Sequence, residues 1–191
     1  MKSFFEFIRR FGTVPPHDEA VLRRYAKRAQ LSAGDFFLKP GQICHQVGFL
    51  FKGVLRVYVQ SEEGREISRG FPAEDHFMVD LDSFNGKKIS IEFWEAMTDI
   101  EFVYWERSDL DRMEGEITCW QAILIPMTQH ILVSAAHERN EMFSDDATTR
   151  YTKFLARHPQ IVARVPLRHV ASYLGIAPQS LSRIRQQLLK G

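Results

Sequence analysis

Apolar positions follow a strand period over roughly the first hundred residues and a helix period after that. Residues 49–60 (FLFKGVLRVYVQ) form an apolar, β-branched run broken at Gly53. A polar turn around Gly64 and a returning run at 66–71 predict a hairpin with a longer loop. Two further strands are predicted within 89–107, on either side of residues 97–99. Ile89, Ile91 and Phe93 alternate with Ser90 and Glu92, as in a half-buried strand, whereas Phe102 to Trp105 are apolar at every position, as in a strand buried on both faces. The opening MKSFFEFIRRFG places Phe4, Phe7, Ile8 and Phe11 on one face of a short helix. Glu6, Arg9 and Arg10 interrupt its apolar run, so a signal peptide is not expected.

After Ser108 the spacing changes. Ile117, Trp120, Leu124, Met127, Ile131 and Ser134 recur every three or four residues, predicting a long helix at about 116–143 that Pro126 should kink or split. Such a stripe can pack on its own domain or on a second copy. A Met-containing stripe joining two modules favours the second copy, which predicts a homodimer interface at Trp120, Leu124, Met127 and Ile131. A further helix is expected over 144–159, with Ser144 as N-cap, Asp145 and Asp146 at the positive end of its dipole, Tyr151, Phe154 and Leu155 facing inward, and Pro159 ending it.

Residues 167–188 (LRHVASYLGIAPQSLSRIRQQL) read as two helices joined by a tight turn. Val170, Ala171 and Leu174 face inward on the first, and Ala171 is small where the helices cross. Gly175 supplies the positive φ at the helix end, Ile176 packs under the turn, Pro178 suits a first helical turn, and Leu181, Ile184 and Leu188 form the inner face of the second. That is a helix-turn-helix pattern. Gln179, Ser180, Ser182, Arg183 and Gln186 project from the opposite face, with Arg168 on the preceding helix. These side chains hydrogen-bond base edges and phosphates: Arg183 suits guanine O6 and N7, Gln179 suits adenine, and Ser180 suits phosphate.

Charge strengthens this reading. The 191 residues carry a formal net charge of only +1, but residues 147–191 hold eight Lys or Arg and no acid, while residues 1–146 are net −7. A basic segment of that kind points to nucleic acid. Seven of the 11 glycines lie from Gly34 to Gly86, and 13 of the 15 phenylalanines lie at or before Phe102, which suits short strands in front and helices behind. A composition of 45% hydrophobic and 26% charged residues excludes disordered and collagen-like chains.

In this order of elements the chain resembles the Crp/Fnr transcription regulators over about residues 15–191. VGFLFKGVLRVYVQSEEGREI is similar to that family's strand–KG–strand–turn segment, FPAEDHFMVDLDSF to the start of its phosphate-binding cassette, and IAPQSLSRIRQQL to its recognition helix. The resemblance implies an α+β fold in three parts: an antiparallel, jelly-roll-like β-roll sensor domain (1–115) with short N-terminal helices, a dimerisation helix (116–143) and a helix-turn-helix domain (144–191). The sequence ends three residues after Leu188, so little or no wing is expected. It further implies transcription regulation in the cytoplasm, with double-stranded DNA, a second copy and RNA polymerase as partners. Gln179, Ser180 and Arg183 fall on the family's contact positions, and Pro178 replaces a frequently polar one. In the cassette the matching positions are Asp80 and Leu81, then Ser90 and Ile91, which form the candidate effector pocket. The family's phosphate arginine has no counterpart there, and Lys87 and Lys88 sit on a nearby turn. Binding of cAMP is therefore not expected; the cofactor is unknown, and an unidentified small-molecule effector remains open.

Other classes have less support. A cupin-like metalloenzyme needs clustered ligands, but His45 and His76 are isolated, and His130 and His137 lie seven apart on the long helix. No nucleophile elbow, phosphate loop or His-Glu-x-x-His occurs, so no catalytic residue or metal ligand is predicted. Cys44 and Cys119 are too few for an iron–sulfur cluster. A haem-sensing roll, or one acting through protein contacts alone, stays open. No apolar stretch is long enough to span a membrane.

Overall fold

The computed structural model describes residues 1–189. Two helices, α1 (Lys2–Ile8) and α2 (Pro16–Tyr25), precede a roll built from β1 (Lys27–Leu31), β2 (Phe36–Leu38), β3 (Gln46–Lys52), β4 (Leu55–Gln60), β5 (Glu66–Gly70), β6 (Phe77–Met78), α3 (Leu81–Gly86), β7 (Phe93–Ala96) and β8 (Ile100–Glu106). Helices α4 (Arg107–Met113), α5 (Trp120–Ser144), α6 (Ala147–Arg157), α7 (Pro159–Arg164), α8 (Leu167–Leu174) and α9 (Pro178–Leu188) follow. The strands form two antiparallel sheets, ordered β1-β8-β3-β6 and β2-β7-β4-β5.

The glycine break at Gly53 is where the chain leaves one sheet for the other, since β3 and β4 lie in different sheets. Its φ is 98°, and a Cβ there would lie 2.4 Å from the Asp99 carbonyl oxygen, so only glycine fits. The predicted hairpin forms between β4 and β5, with Gln60 opposite Glu66. Strand β8 is buried on both faces: Phe102 joins the core between the sheets, while Val103 and Trp105 join a second core under α1, α2 and α5. The strand expected from residue 89 begins only at Phe93. Ile89 makes one isolated bridge to Ile43, and Ile89 and Ile91 are each 64% exposed. Alternation alone does not make a strand where the neighbouring backbone offers no continuous ladder.

Helix α5 starts at Trp120 rather than 116. The reason lies about a hundred residues earlier. Asp18, fully buried on α2, accepts hydrogen bonds at Oδ2 from the Thr118 N–H (2.9 Å), the Thr118 hydroxyl (3.0 Å) and the Cys119 N–H (2.8 Å), which closes the helix start. Burial alone would raise the Asp18 pKa, but these bonds bring it below its ordinary value. Pro126 lies within α5 without splitting it. Ser144, the expected cap of the next helix, is instead the last residue of α5. Asp146 caps α6 by accepting from the Thr149 N–H at 2.8 Å, because its carboxylate sits one residue before the first helical turn.

Candidate nucleic-acid interface

The second helical pair folds as its spacing requires. Gly175 ends α8 at φ 63°, and Ile176 is buried beneath the turn. Val170, Ala171, Leu174, Leu181 and Ile184 are buried together with Tyr151, Phe154 and Ile161 from α6 and α7. Pro178 opens α9. Gln179, Ser180, Arg183, Gln186 and, on α8, Arg168 are exposed, while Ser182 is half-buried. Among the described residues none of these six side chains enters a hydrogen bond or ion pair with the rest of the protein. The face of α9 is therefore a free array of donors and acceptors, with no acid in residues 147–189 to repel phosphate.

This helical unit is docked on the roll. Its core continues into Val54 and Ala73, with Phe71 and Met97 packed alongside. The Ser172 hydroxyl covers the free edge of β5, accepting from the Ser68 N–H (3.0 Å) and donating to the Glu66 carbonyl (3.1 Å). Beneath it Arg56, 1% exposed, donates to Ser68 Oγ at 2.9 Å and to Glu66 at 2.5 Å. On the other side Arg164 pairs with Glu74 at both oxygens (2.6 and 2.8 Å), and Glu74 also accepts from the Gly53 N–H at 2.8 Å. The Arg164 guanidinium holds the Glu74 pKa down to about 2. His169, also in this junction, is held neutral: burial, then the charges of Arg56 and Arg168, lower its pKa to about 4. None of Glu74, Arg164, Arg56 or His169 stood out in the sequence, where each is an ordinary polar residue far from its partner.

The four cassette positions differ in exposure and bonding. Asp80 caps α3, accepting from the Ser83 N–H at 3.1 Å, and takes the Ser90 hydroxyl at 2.6 Å. Ser90 is buried, but its oxygen also accepts from the Glu92 N–H. Leu81 and Ile91 are exposed. Of the two nearby lysines, Lys88 pairs with Asp82 at 3.1 Å and Lys87 is exposed in a left-handed turn.

The α5 stripe divides in two. Met127 is buried in the chain's own core beside Ile123, and Trp120 and Leu124 are half-buried against that core. Ile131 is 41% exposed, and Ile125, Leu132, Val133 and Phe143 are exposed with it. An apolar groove runs beside this helix, bounded by Phe77, Phe84, Trp105, Leu124, Ile131 and Leu132.

No protein-family model and no curated protein matches the sequence. Solved structures do match it. FixK2 from Bradyrhizobium japonicum is similar over 86% of this chain and 85% of its own, with a TM-score of 0.74 at 19% identity. CLP of Xanthomonas campestris, described as a c-di-GMP-responsive global regulator, is similar over 91% of this chain and 92% of its own, with a TM-score of 0.65 at 14% identity. A Crp/Fnr-family regulator from Eubacterium rectale, so described from its structure, matches over 93% and 85% with a TM-score of 0.66 at 15% identity. These likenesses are of fold. The chain shares the α+β fold of these regulators: a roll of two antiparallel sheets, a long helix and a helix-turn-helix.

Proposed function

We propose that this protein is a sequence-specific, DNA-binding transcription regulator that acts as a homodimer. The observation that carries the proposal is the exposed, acid-free face of α9, whose Gln179, Ser180, Ser182, Arg183 and Gln186 have no partner within the described residues. Such a face, held at the N-terminal part of the second helix of a helix-turn-helix, enters the major groove. Arg183 donates to guanine, Gln179 pairs with adenine, and Ser180 and Arg168 hold phosphates. The exposed Ile125, Ile131, Leu132 and Val133 of α5 support pairing with a second copy, which places two recognition helices about 34 Å apart on a pseudo-palindromic site. RNA polymerase as a further partner, and the cytoplasm as location, belong to the same reading.

The roll is a degenerate sensor in this account. Asp80 and Ser90 already bond each other, and no cation stands at Ser90 and Ile91, so a cyclic phosphate has no counter-charge at the family's position. Calorimetry with cAMP and cGMP is expected to show no saturable binding tighter than about 100 μM, and tighter binding would overturn the degenerate-sensor reading. The DNA reading is tested by selecting duplexes from a random pool and measuring anisotropy. The expected result is a selected two-fold site whose affinity falls steeply with salt. Failure to enrich any sequence would overturn it.

A further inference from the structure

Arg107 leads out of β8 into α4, and its side chain lies across the cassette helix: the guanidinium carbon is 3.9 Å from the centre of the Phe84 ring. Its backbone N–H donates to the His45 carbonyl at 2.8 Å. The side-chain nitrogens Nε and Nη2 are shielded from solvent, and neither has an acceptor among the described residues. These two nitrogens share one edge of the guanidinium and direct parallel N–H bonds, the edge that receives both oxygens of a carboxylate or phosphate. Arg23 shows the same edge in use, with Nε and Nη2 both donating to Glu19, at 3.0 and 2.6 Å. Arg150 also has a shielded Nε without an acceptor, but its Nη1 reaches the Met142 carbonyl, and only one of its nitrogens is both shielded and unpartnered.

An acid at the same end of the roll is already engaged. Burial raises the Cys44 thiol pKa most, and hydrogen bonds with the backbone of Asp80 and Gln46, then the charge of Arg107, oppose that rise. Asp80 gives one oxygen to the Ser83 N–H and the other to the Ser90 hydroxyl, and it forms no ion pair with Arg107. A buried, charged fork without an acceptor is unfavourable, and the natural remedy is an anion. A recess of about 370 Å³, lined by Phe37, Leu38 and residues 42–46, includes His45, whose carbonyl accepts the Arg107 backbone N–H.

We propose that the Nε/Nη2 edge of Arg107, over Phe84, binds a small oxyanion, a carboxylate or phosphate group, at the cassette end of the roll. The proposal uses the sensor reading of the roll but none of the DNA contacts, and the two fail separately because its test contains no DNA. The full chain is titrated calorimetrically with sodium phosphate and with sodium acetate, and melted in each against sodium chloride at matched ionic strength. One of the two oxyanions is expected to bind saturably and raise the Tm where chloride does not, and the two arms tell phosphate from carboxylate. Arg107→Met, which keeps an apolar stem on Phe84, is expected to abolish the binding and to raise the Tm in anion-free buffer, because it removes an unpartnered buried charge. Arg107→Lys keeps the charge without the fork and is expected to bind about tenfold more weakly. Arg28→Gln, at an exposed site on β1, is expected to bind like the wild type. The proposal is overturned by absence of saturable binding of either oxyanion below about 10 mM, by undiminished binding in Arg107→Met, or by a lower Tm for Arg107→Met in anion-free buffer.

Discussion

The outward face of α9 and the cassette around α3 are both polar segments, and they differ in what their polar atoms do. On α9 the side chains of Gln179, Ser180, Arg183 and Gln186 are exposed and have no partner among the described residues. In the cassette, Asp80, Ser83 and Ser90 bond one another and the local backbone, Ser83 giving its hydroxyl to the Lys88 carbonyl at 2.6 Å. Polar groups that the fold leaves free are available for recognition, whereas polar groups that satisfy one another hold a loop in shape. By this criterion the cassette positions hold the loop, and the α9 positions are the ones proposed to contact DNA. Among the described residues, the shielded Nε and Nη2 of Arg107, which stacks on Phe84 of α3, have no acceptor.

Breaking the proposed pairing of copies should have the largest effect, because the two α9 faces would then act alone. Ile131→Asp is expected to convert the proposed dimer to monomer at micromolar concentration, at a cost on the order of several kcal/mol for a charge buried at the proposed α5 seam. Sedimentation velocity reads this directly, and a wild type that sediments as a monomer would assign the exposed α5 residues another role.

Acid should separate the two regions next. His169 has a folded pKa of about 4 against an ordinary 6.5, so below pH 6.5 the unfolded state takes up a proton that the folded state refuses. Its contribution to stability is therefore lost as the pH falls from 6.5 to about 4, by up to about 3 kcal/mol. Glu74 acts in the same direction lower down: its folded pKa of about 2 makes its pairing with Arg164 fully effective above about 4.5 and lost as the pH falls towards 2. Thermal unfolding across pH 4–7 is expected to flatten in His169→Gln, and a wild-type slope that persists in that variant would assign the titration elsewhere.

Smaller substitutions test the contrast itself. Arg183→Ala is expected to weaken specific DNA binding by about 1–3 kcal/mol and relax discrimination at one base pair, without changing the Tm. Asp80→Ala is expected to do the reverse, lowering stability by about 1–2 kcal/mol in urea unfolding through loss of the α3 cap and the Ser90 bond, with DNA affinity unaltered. Gln179→Ala should shift stability by less than about 0.5 kcal/mol while still lowering affinity for the selected site. If Gln179→Ala or Arg183→Ala were as destabilising as Asp80→Ala, the distinction between free and engaged polar groups would not hold.

Much of this molecule could be read from its chain. The β4–β5 hairpin, the doubly buried β8, the helix-turn-helix with its glycine at 175, and the outward face of α9 all follow from patterns spanning at most some twenty residues. In such segments the periodicity of side chains along a strand or helix is itself the cause of the structure, so sequence and fold carry the same information. The start of α5 depends on Asp18, about a hundred residues away. The docking of the helical unit depends on Glu74 with Arg164 and on Ser172 over β5, and the division of the α5 stripe depends on how much of it the roll already covers. The Nε/Nη2 edge of Arg107 is shielded and has no acceptor among the described residues. A polar or apolar side chain announces its capacity to bond in the sequence, but whether that capacity is met depends on which distant groups the folded chain brings within about 3 Å, and that was decided only by the tertiary structure.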